Sequence, residues 1–172
     1  IDQAAFETIT GYIERAKADP HCRIVAGGTW DQSEGWYIAP TVIESDDPAS
    51  ETMVQEIFGP VLTVYVYDDA DMDEAYRTVD GTTPYALTGA IFATERRSII
   101  RATNALRHAA GNFYINDKPT GAVVGQQPFG GARGSGTNDK AGSLLNLMRW
   151  TSPRTIKENY QPPSAWRYPY MG

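Results

Sequence analysis

The sequence predicts an α/β fold with a mainly parallel sheet, because segments of strand character alternate with segments of helical periodicity. A complete order of strand, helix, strand, helix, strand lies between residues 61 and 115, and its connections are short. Parallel strands require crossover connections of this kind. We therefore expect helices on both faces of a parallel sheet.

The first part of the chain combines one long helix with short strands. Apolar residues recur at helical spacing over residues 1–19, which predicts the first helix. Arg23–Ala26 follows as a short strand that ends at two glycines. We predict that Tyr37–Ile43 is an edge or bulged strand, because Pro40 interrupts it and cannot donate a ladder hydrogen bond.

The middle of the chain contains the segments expected to build the sheet. Its strands are indicated by β-branched and aromatic side chains, and its helices by acidic first turns and apolar residues at helical spacing. In chain order we predict a buried strand over Val61–Tyr67, a helix over Asp68–Asp80, a strand over Gly89–Ala93, a helix capped by Thr94 and ending at Ala109, and a strand over Asn112–Ile115. The α/β prediction depends on these five segments.

The end of the chain does not continue this alternation. Arg149–Lys157 has the character of an extended strand but contains Pro153, and an aromatic, proline-rich segment follows. A strand interrupted by proline does not fit the centre of a sheet, so we expect it to pack against a neighbouring chain. We divide the sequence into a main region, residues 1–148, and a terminal strand with its tail, residues 149–172.

Composition limits the classes of function. The chain has 172 residues and a net charge of −6. Its basic residues are scattered, which argues against a nucleic-acid-binding face, and its two distant histidines argue against a zinc site. One cysteine excludes an internal disulfide. No apolar run reaches the roughly 20 residues of a membrane span, so we expect a soluble, intracellular protein. Because the sequence begins within a predicted helix and without methionine, we expect it to be a piece of a longer chain.

The segment Gly111–Asp139 has the composition of one wall of a binding site. Its loop contains glycines at positions 121, 125, 130, 131, 134 and 136. Glycine at this density lets the backbone approach a ligand and direct N–H groups towards it. A flexible surface loop is the alternative. Against it, the segment carries Phe113, Tyr114 and Phe129, and flexible linkers contain few aromatic residues.

A second candidate site is the turn Glu56–Pro60, which lies just before the predicted strand Val61–Tyr67. A carboxylate, an aromatic ring and a rigid Gly-Pro turn could hold a ribose diol and stack on a flat ring. The alternative is that Glu56 is simply solvated and that Phe58 belongs to the core. The residues alone leave both interpretations open.

Cys22 is a weak candidate for a nucleophile. It lies between His21 and Arg23 beside a surface turn. This neighbourhood is basic, but it lacks the helix N-terminus or glycine-rich turn that would orient and activate a thiol. We interpret the two histidines and the paired aspartates as surface or helix residues. The sequence contains neither a P-loop nor a dinucleotide-binding glycine motif.

Three segments together resemble the C-terminal part of an aldehyde dehydrogenase. They are EIFGPV at residues 56–61, LTGAIF at residues 87–92 and PFGGARGSG at residues 128–136. The longer string at residues 112–139 resembles the L-glutamate γ-semialdehyde dehydrogenases, or 1-pyrroline-5-carboxylate dehydrogenases, of proline catabolism. The resemblance covers essentially the whole chain. It implies part of a three-layer αβα catalytic domain with a C-terminal oligomerisation strand, and it leaves the N-terminal two thirds of the family unmatched.

The resemblance also implies roles for five residues. Members of this family oxidise the semialdehyde to glutamate with NAD through a cysteine thioester, and their cysteine motif lies upstream, so no catalytic residue is expected here. Glu56 would hold the nicotinamide ribose hydroxyls, and Phe58 would pack near the nicotinamide ring. The N–H groups of Gly121 and Ala122 would bind the substrate α-carboxylate, and Phe129 would contact its aliphatic chain.

One departure and two alternatives accompany this resemblance. The family often has two acids before the isoleucine, whereas this chain has Gln55 before Glu56. An aldehyde dehydrogenase of another substrate range is the first alternative, and the TGAVVGQQPF segment argues against it because most relatives do not seat an amino-acid head group. A non-catalytic assembly module that docks through the tail is the second.

The resemblance also implies a location and an assembly. The implied location is the cytoplasm, or the mitochondrial matrix in a eukaryote, and the implied assembly is a homo-oligomer through Arg149–Lys157.

Overall fold

A computed structural model describes residues 1–119, 121–123 and 125–171. Its helices are α1 Gln3–Ala18, α2 Glu51–Val54, α3 Met72–Gly81, α4 Arg96–Ala105 and α5 Leu144–Met148. Its strands are β1 Cys22–Ala26, β2 Trp30–Asp31, β3 Tyr37–Ile38, β4 Thr41–Ser45, β5 Val61–Tyr65, β6 Tyr85–Ala86, β7 Thr88–Ile91, β8 Asn112–Ile115 and β9 Ala132–Arg133. This mixture confirms the predicted α/β class.

Helix α1 forms where the periodicity predicts it and supplies the core of the first half. The Asp2 carboxylate accepts a hydrogen bond of 2.8 Å from the Ala5 amide, which satisfies one free N–H of the first turn. The buried face of the helix includes Ile9 and Ile13 and packs against β1. Almost complete burial of these side chains contributes about 1.5–3 kcal/mol each.

The first sheet has the strand order β1-β4-β5. Strand β4 pairs antiparallel with β1 and parallel with β5, with Thr41 opposite Val61. The prediction of one edge strand over Tyr37–Ile43 is therefore wrong, because Thr41–Ser45 is the central strand. Pro40 lies just before the ladder, so its missing N–H removes no bond from the sheet.

Strand β5 forms as predicted but is not buried. It occupies the edge of its sheet, and Leu62 on its outer face is 59% exposed. Its composition identified the strand correctly. Burial depends on what lies beside the strand, and local composition does not encode that.

The second half contains the parallel pair β7 and β8, with Thr88 opposite Asn112, and the packed helices α3 and α4. Parallel pairing is confirmed in both halves, but among the described residues it occurs in separate sheets rather than in one.

Thr94 is not the cap of helix α4, which begins at Arg96 and has Glu95 at its N-cap. The Asn116 side chain donates to the Ala93 carbonyl and accepts from the Ala93 amide, each at 2.9 Å. These bonds fix the backbone at Ala93, and the helix begins one residue later than a Thr94 cap predicts.

The terminal segment forms no strand within the described residues. After α5, residues 151–159 are irregular and exposed, and Trp150 is 84% exposed. The predicted strand over Arg149–Lys157 is therefore not formed in the single chain, since a strand requires a partner for its ladder. None of the described helices is long and apolar enough to cross a membrane.

Candidate functional site

Glu56 lies on the turn between α2 and β5 and lines a cleft of about 430 Å³. The opposite wall includes Thr88 and Gly89 of strand β7 and Phe113 of strand β8. Small-molecule pockets commonly occupy about 300–1,000 Å³. The cleft is lined from both halves of the chain, and its lining includes the exposed Glu56 carboxylate and the Phe113 ring.

The side chain of Phe58 is exposed to solvent rather than buried. It is 89% exposed, and its φ of 55° lies in the left-handed region, which costs a non-glycine residue of the order of 1–3 kcal/mol. The turn is fixed on its far side, because the Thr41 amide donates to the Pro60 carbonyl at 2.8 Å. A Cβ on Gly59 would lie 2.6 Å from the Ile9 Cδ1 atom, so a larger residue here would displace the buried Ile9 side chain. Phe58 is therefore not part of the core of the described chain.

Gly121 and Ala122 lie on an irregular loop that leaves strand β8. Among the described residues, no hydrogen bond uses either of their amides, and a Cβ on Gly121 would meet no atom within 4 Å. Thr88 Oγ1 donates to the Pro119 carbonyl at 3.2 Å and ties the start of the loop to strand β7. Within the part of the chain that the structure describes, these two backbone donors have no acceptor.

Phe129 is half-buried and held on both sides of its backbone. Its N–H and carbonyl pair with Ala141 at 2.9 and 2.7 Å. The buried Asn112 donates from Nδ2 to the Pro128 carbonyl at 2.9 Å and accepts at Oδ1 from the Gly130 amide at 3.1 Å. The residues before and after Phe129 are therefore bound by a single side chain.

Lys140 completes this arrangement. Its ammonium group donates to the Gly111 carbonyl at 2.5 Å, and to the Gly130 carbonyl and Asn112 Oδ1 at 3.3 Å each. Sequence reasoning missed both Lys140 and Asn112. The one available signal was an asparagine at the first position of a predicted core strand, where an apolar residue is usual.

Strand β8 separates the two groups of candidate residues. Phe113 faces the cleft with Glu56, whereas Asn112 and Tyr114 contact the loop on the other face, as expected for alternating side chains. The hydrogen bonds of Asn112 thus connect strand β8 to the residues on either side of Phe129. Among the described residues the structure does not bring Glu56 or Phe58 into contact with Gly121, Ala122 or Phe129.

The surroundings of Cys22 do not activate it. Burial raises the pKa of its thiol, and the Sγ atom lies 3.7 Å from Asp19 Oδ2. A neighbouring carboxylate disfavours the thiolate further. His21 is directed towards Asp46, at 2.7 Å from Nδ1 to Oδ1. This geometry agrees with the interpretation that Cys22 is not a nucleophile.

The His21–Asp46 pair predicts a pH effect on stability. The hydrogen bond to Asp46 raises the pKa of His21. The pair therefore contributes stability below the unfolded value of about 6.5, and that contribution is lost as pH rises through the folded pKa. In a histidine NMR titration, we expect the His21 pKa to lie above 6.5 and to fall in Asp46→Asn. An identical pKa in both proteins contradicts this prediction.

The family follows from a comparison with known proteins. Residues 1–156 match the aldehyde dehydrogenase family, so this chain belongs to that family. The resemblance inferred from the EIFGPV and PFGGARGSG segments is confirmed.

Within the family, the chain is similar to delta-1-pyrroline-5-carboxylate dehydrogenases. It is 59% identical to the mitochondrial enzyme of Dictyostelium discoideum over 99% of this chain and 31% of that protein. For the human mitochondrial enzyme, identity is 52% over 99% of this chain and 30% of that protein. The structure of the Mycobacterium tuberculosis enzyme bound with NAD is 52% identical, with a TM-score of 0.80, over 100% of this chain and 31% of that chain. The chain thus spans about 31% of the length of such relatives.

Proposed function

We propose that this chain is the C-terminal part of an NAD-dependent dehydrogenase that oxidises L-glutamate γ-semialdehyde to L-glutamate. The observation that carries the proposal is the loop after strand β8, in which the amides of Gly121 and Ala122 have no acceptor among the described residues and the backbone of Phe129 is held by hydrogen bonds. The names of the relatives specify a substrate with a carboxylate, the group that oriented backbone amides bind best.

In this proposal the two amides hold the α-carboxylate of the semialdehyde. Each hydrogen bond to a charged group contributes roughly 1.5–3 kcal/mol. The ring of Phe129 packs on the aliphatic chain and fixes the distance between the carboxylate and the aldehyde. Substrates that lack the carboxylate lose the anchor and bind in many orientations.

The turn Glu56–Pro60 has the groups needed for NAD. The Glu56 carboxylate can accept hydrogen bonds from both hydroxyls of a ribose, and the exposed Phe58 ring can cover one side of a nicotinamide. When bound, NAD accepts the hydride that leaves the aldehyde carbon. The nucleophilic cysteine belongs to a part of the enzyme outside this chain, because the environment of Cys22 disfavours a thiolate.

The experiment compares aldehydes in the full-length enzyme that contains this segment. We expect kcat/KM for glutamate semialdehyde to exceed that for pentanal by at least about tenfold, since two charge-assisted hydrogen bonds are absent with pentanal. Equal values for the two aldehydes point to another substrate range. A folded protein that oxidises neither aldehyde points to an assembly module.

We further propose that the enzyme is a homo-oligomer in which Arg149–Lys157 pairs with another subunit. Support comes from the exposure of its apolar side chains, with Ile156 74% exposed, and from the absence of a ladder partner in the described part of this chain. The location proposed is the mitochondrial matrix if the source is a eukaryote, because the eukaryotic relatives named above are mitochondrial, and the cytoplasm otherwise.

Truncation tests the assembly proposal. Removing Arg149 and all following residues from the full-length enzyme is expected to give a smaller particle in light scattering and a lower melting temperature. The physical reason is that, without this segment, the strand that it pairs with in the other subunit would become an unpaired edge. A truncated enzyme with the parent mass and melting temperature contradicts the proposal.

A further inference from the structure

We propose that Asn112 and Lys140 are positioning residues that fix the Phe129 ring and thereby set the aldehyde selectivity of the enzyme without touching the substrate. The inference rests on the proposed function, in which Phe129 contacts the aliphatic chain of the semialdehyde. The backbone of Phe129 itself pairs with Ala141, and the side chains of Asn112 and Lys140 hold the residues on either side of it.

Asn112 is suited to this role by its burial and by the direction of its amide. It is 8% exposed. The Pro128 carbonyl can only accept and the Gly130 N–H can only donate, so Nδ2 of Asn112 must face Pro128 and Oδ1 must face Gly130. The orientation is therefore fixed by chemistry, and the backbone on both sides of Phe129 is fixed with it.

Lys140 stabilises the same backbone segment, because it binds the Gly130 carbonyl and the Asn112 side chain. Its three contacts among the described residues are carbonyl or amide oxygens, which converge on the ammonium group and would repel one another without it. An ammonium group has three donors, and all three are used. Lys140 therefore has no donor left for a substrate carboxylate, which makes it a positioning residue rather than a binding residue.

The close approach of Gly111 and Gly130 shows how tightly their two backbone segments pack. A Cβ on Gly111 would lie 2.1 Å from the Gly130 carbonyl oxygen. Strand β8 and the Phe129 segment thus meet backbone to backbone, and the Lys140 ammonium bridges the two glycine carbonyls. A shift in either backbone moves the Phe129 ring directly.

Arg133 offers a matched control in the same loop. Its guanidinium binds the Asp80 carboxylate and donates to the Asp80 carbonyl at 2.5 Å, which ties the loop to the end of helix α3. Arg133→Met removes a cationic anchor, as Lys140→Met does, but away from Phe129. We expect it to lower the melting temperature and leave the aldehyde selectivity unchanged.

The test uses the full-length enzyme with 4-trifluoromethylphenylalanine at position 129 and two readouts. The first is the ¹⁹F chemical shift of that label in the substrate-free enzyme. The second is the ratio of kcat/KM for glutamate semialdehyde to that for pentanal. In Lys140→Met we expect a shifted or broadened resonance and a ratio lowered about tenfold, because a small misplacement of a contact residue has effects of this size.

Two conservative variants keep the test decisive if Lys140→Met does not fold. Lys140→Arg keeps the cation and should retain the parent resonance and most of the selectivity. Asn112→Asp keeps the acceptor for Gly130 but places an oxygen against the Pro128 carbonyl, so it should shift the resonance and lower the ratio. Neither variant changes the size of the side chain greatly.

The outcomes separate this inference from the function on which it rests. An unchanged ¹⁹F resonance in Lys140→Met and Asn112→Asp overturns the positioning role, whatever the kinetics show. A shifted resonance with unchanged selectivity overturns the claim about selectivity and locates the failure in the substrate role of Phe129. An equal loss of selectivity in Arg133→Met also overturns the inference, because any disturbance of the loop would then have the same effect.

Discussion

Replacing Ala122 with proline in the full-length enzyme is expected to lower kcat/KM for glutamate semialdehyde by about tenfold to a hundredfold, because it removes one N–H donor to a charged carboxylate. The loss for pentanal should be much smaller, since that aldehyde has no carboxylate to use the donor. The prediction is a change of selectivity and not merely a loss of activity. Steady-state kinetics with both aldehydes measure it.

Controls separate the donor from the loop. Ala122→Gly keeps the N–H and should retain the parent selectivity, although it makes the loop more flexible. Circular dichroism and thermal melting establish that Ala122→Pro is folded. Equal losses for the two aldehydes in a folded Ala122→Pro enzyme would mean that the loop is structural and that the anchor lies elsewhere.

Replacing Glu56 with glutamine is expected to lower kcat about tenfold or more and to weaken NAD binding. The change keeps the size of the side chain but removes the charge that would hold the ribose hydroxyls, so the nicotinamide loses its orientation. Rapid-mixing kinetics of NADH formation and a binding titration with NAD measure the two effects.

Glu51 provides the comparison for this variant. It is an exposed glutamate on helix α2, away from the turn, and it forms an ion pair with Arg15. Glu51→Gln should leave kcat and NAD affinity near the parent values, because exposed ion pairs contribute little. If Glu56→Gln also retains both values, Glu56 has no part in cofactor binding.

Local patterns predicted the elements well where the chain carries its own signals. Helix α1 has apolar residues at helical spacing and an N-terminal Asp2, and it forms over Gln3–Ala18. The parallel pairs follow from strand and helix alternation. The cap of helix α4 was predicted one residue too early, since the helix begins at Arg96 with Glu95 at its N-cap.

The errors on strands have a common cause. Pro40 suggested an edge strand, but the chain breaks at that residue, and Thr41–Ser45 enters the centre of the sheet. Strand β5 was expected to be buried and lies at an edge. Arg149–Lys157 forms no strand within the described residues of this single chain, and its expected pairing with another subunit stays a prediction. In each case the outcome depends on which segments lie alongside, and that information is not local in sequence.

The candidate site shows the same limit. The density of glycines identified the loop, and the displayed Phe58 agrees with a binding turn rather than a core position. Asn112 and Lys140 were not found, because they are separated by 28 residues and meet only in the folded chain. The trace that they leave in the sequence is an asparagine at the first position of a predicted core strand.

A crystal structure of the full-length enzyme with NAD and L-glutamate tests the central claim most directly. The α-carboxylate oxygens of glutamate should lie about 3 Å from the amide nitrogens of Gly121 and Ala122, with the Phe129 ring against the aliphatic chain. A glutamate whose α-carboxylate is bound by other groups, while these two amides face solvent, would contradict the claim.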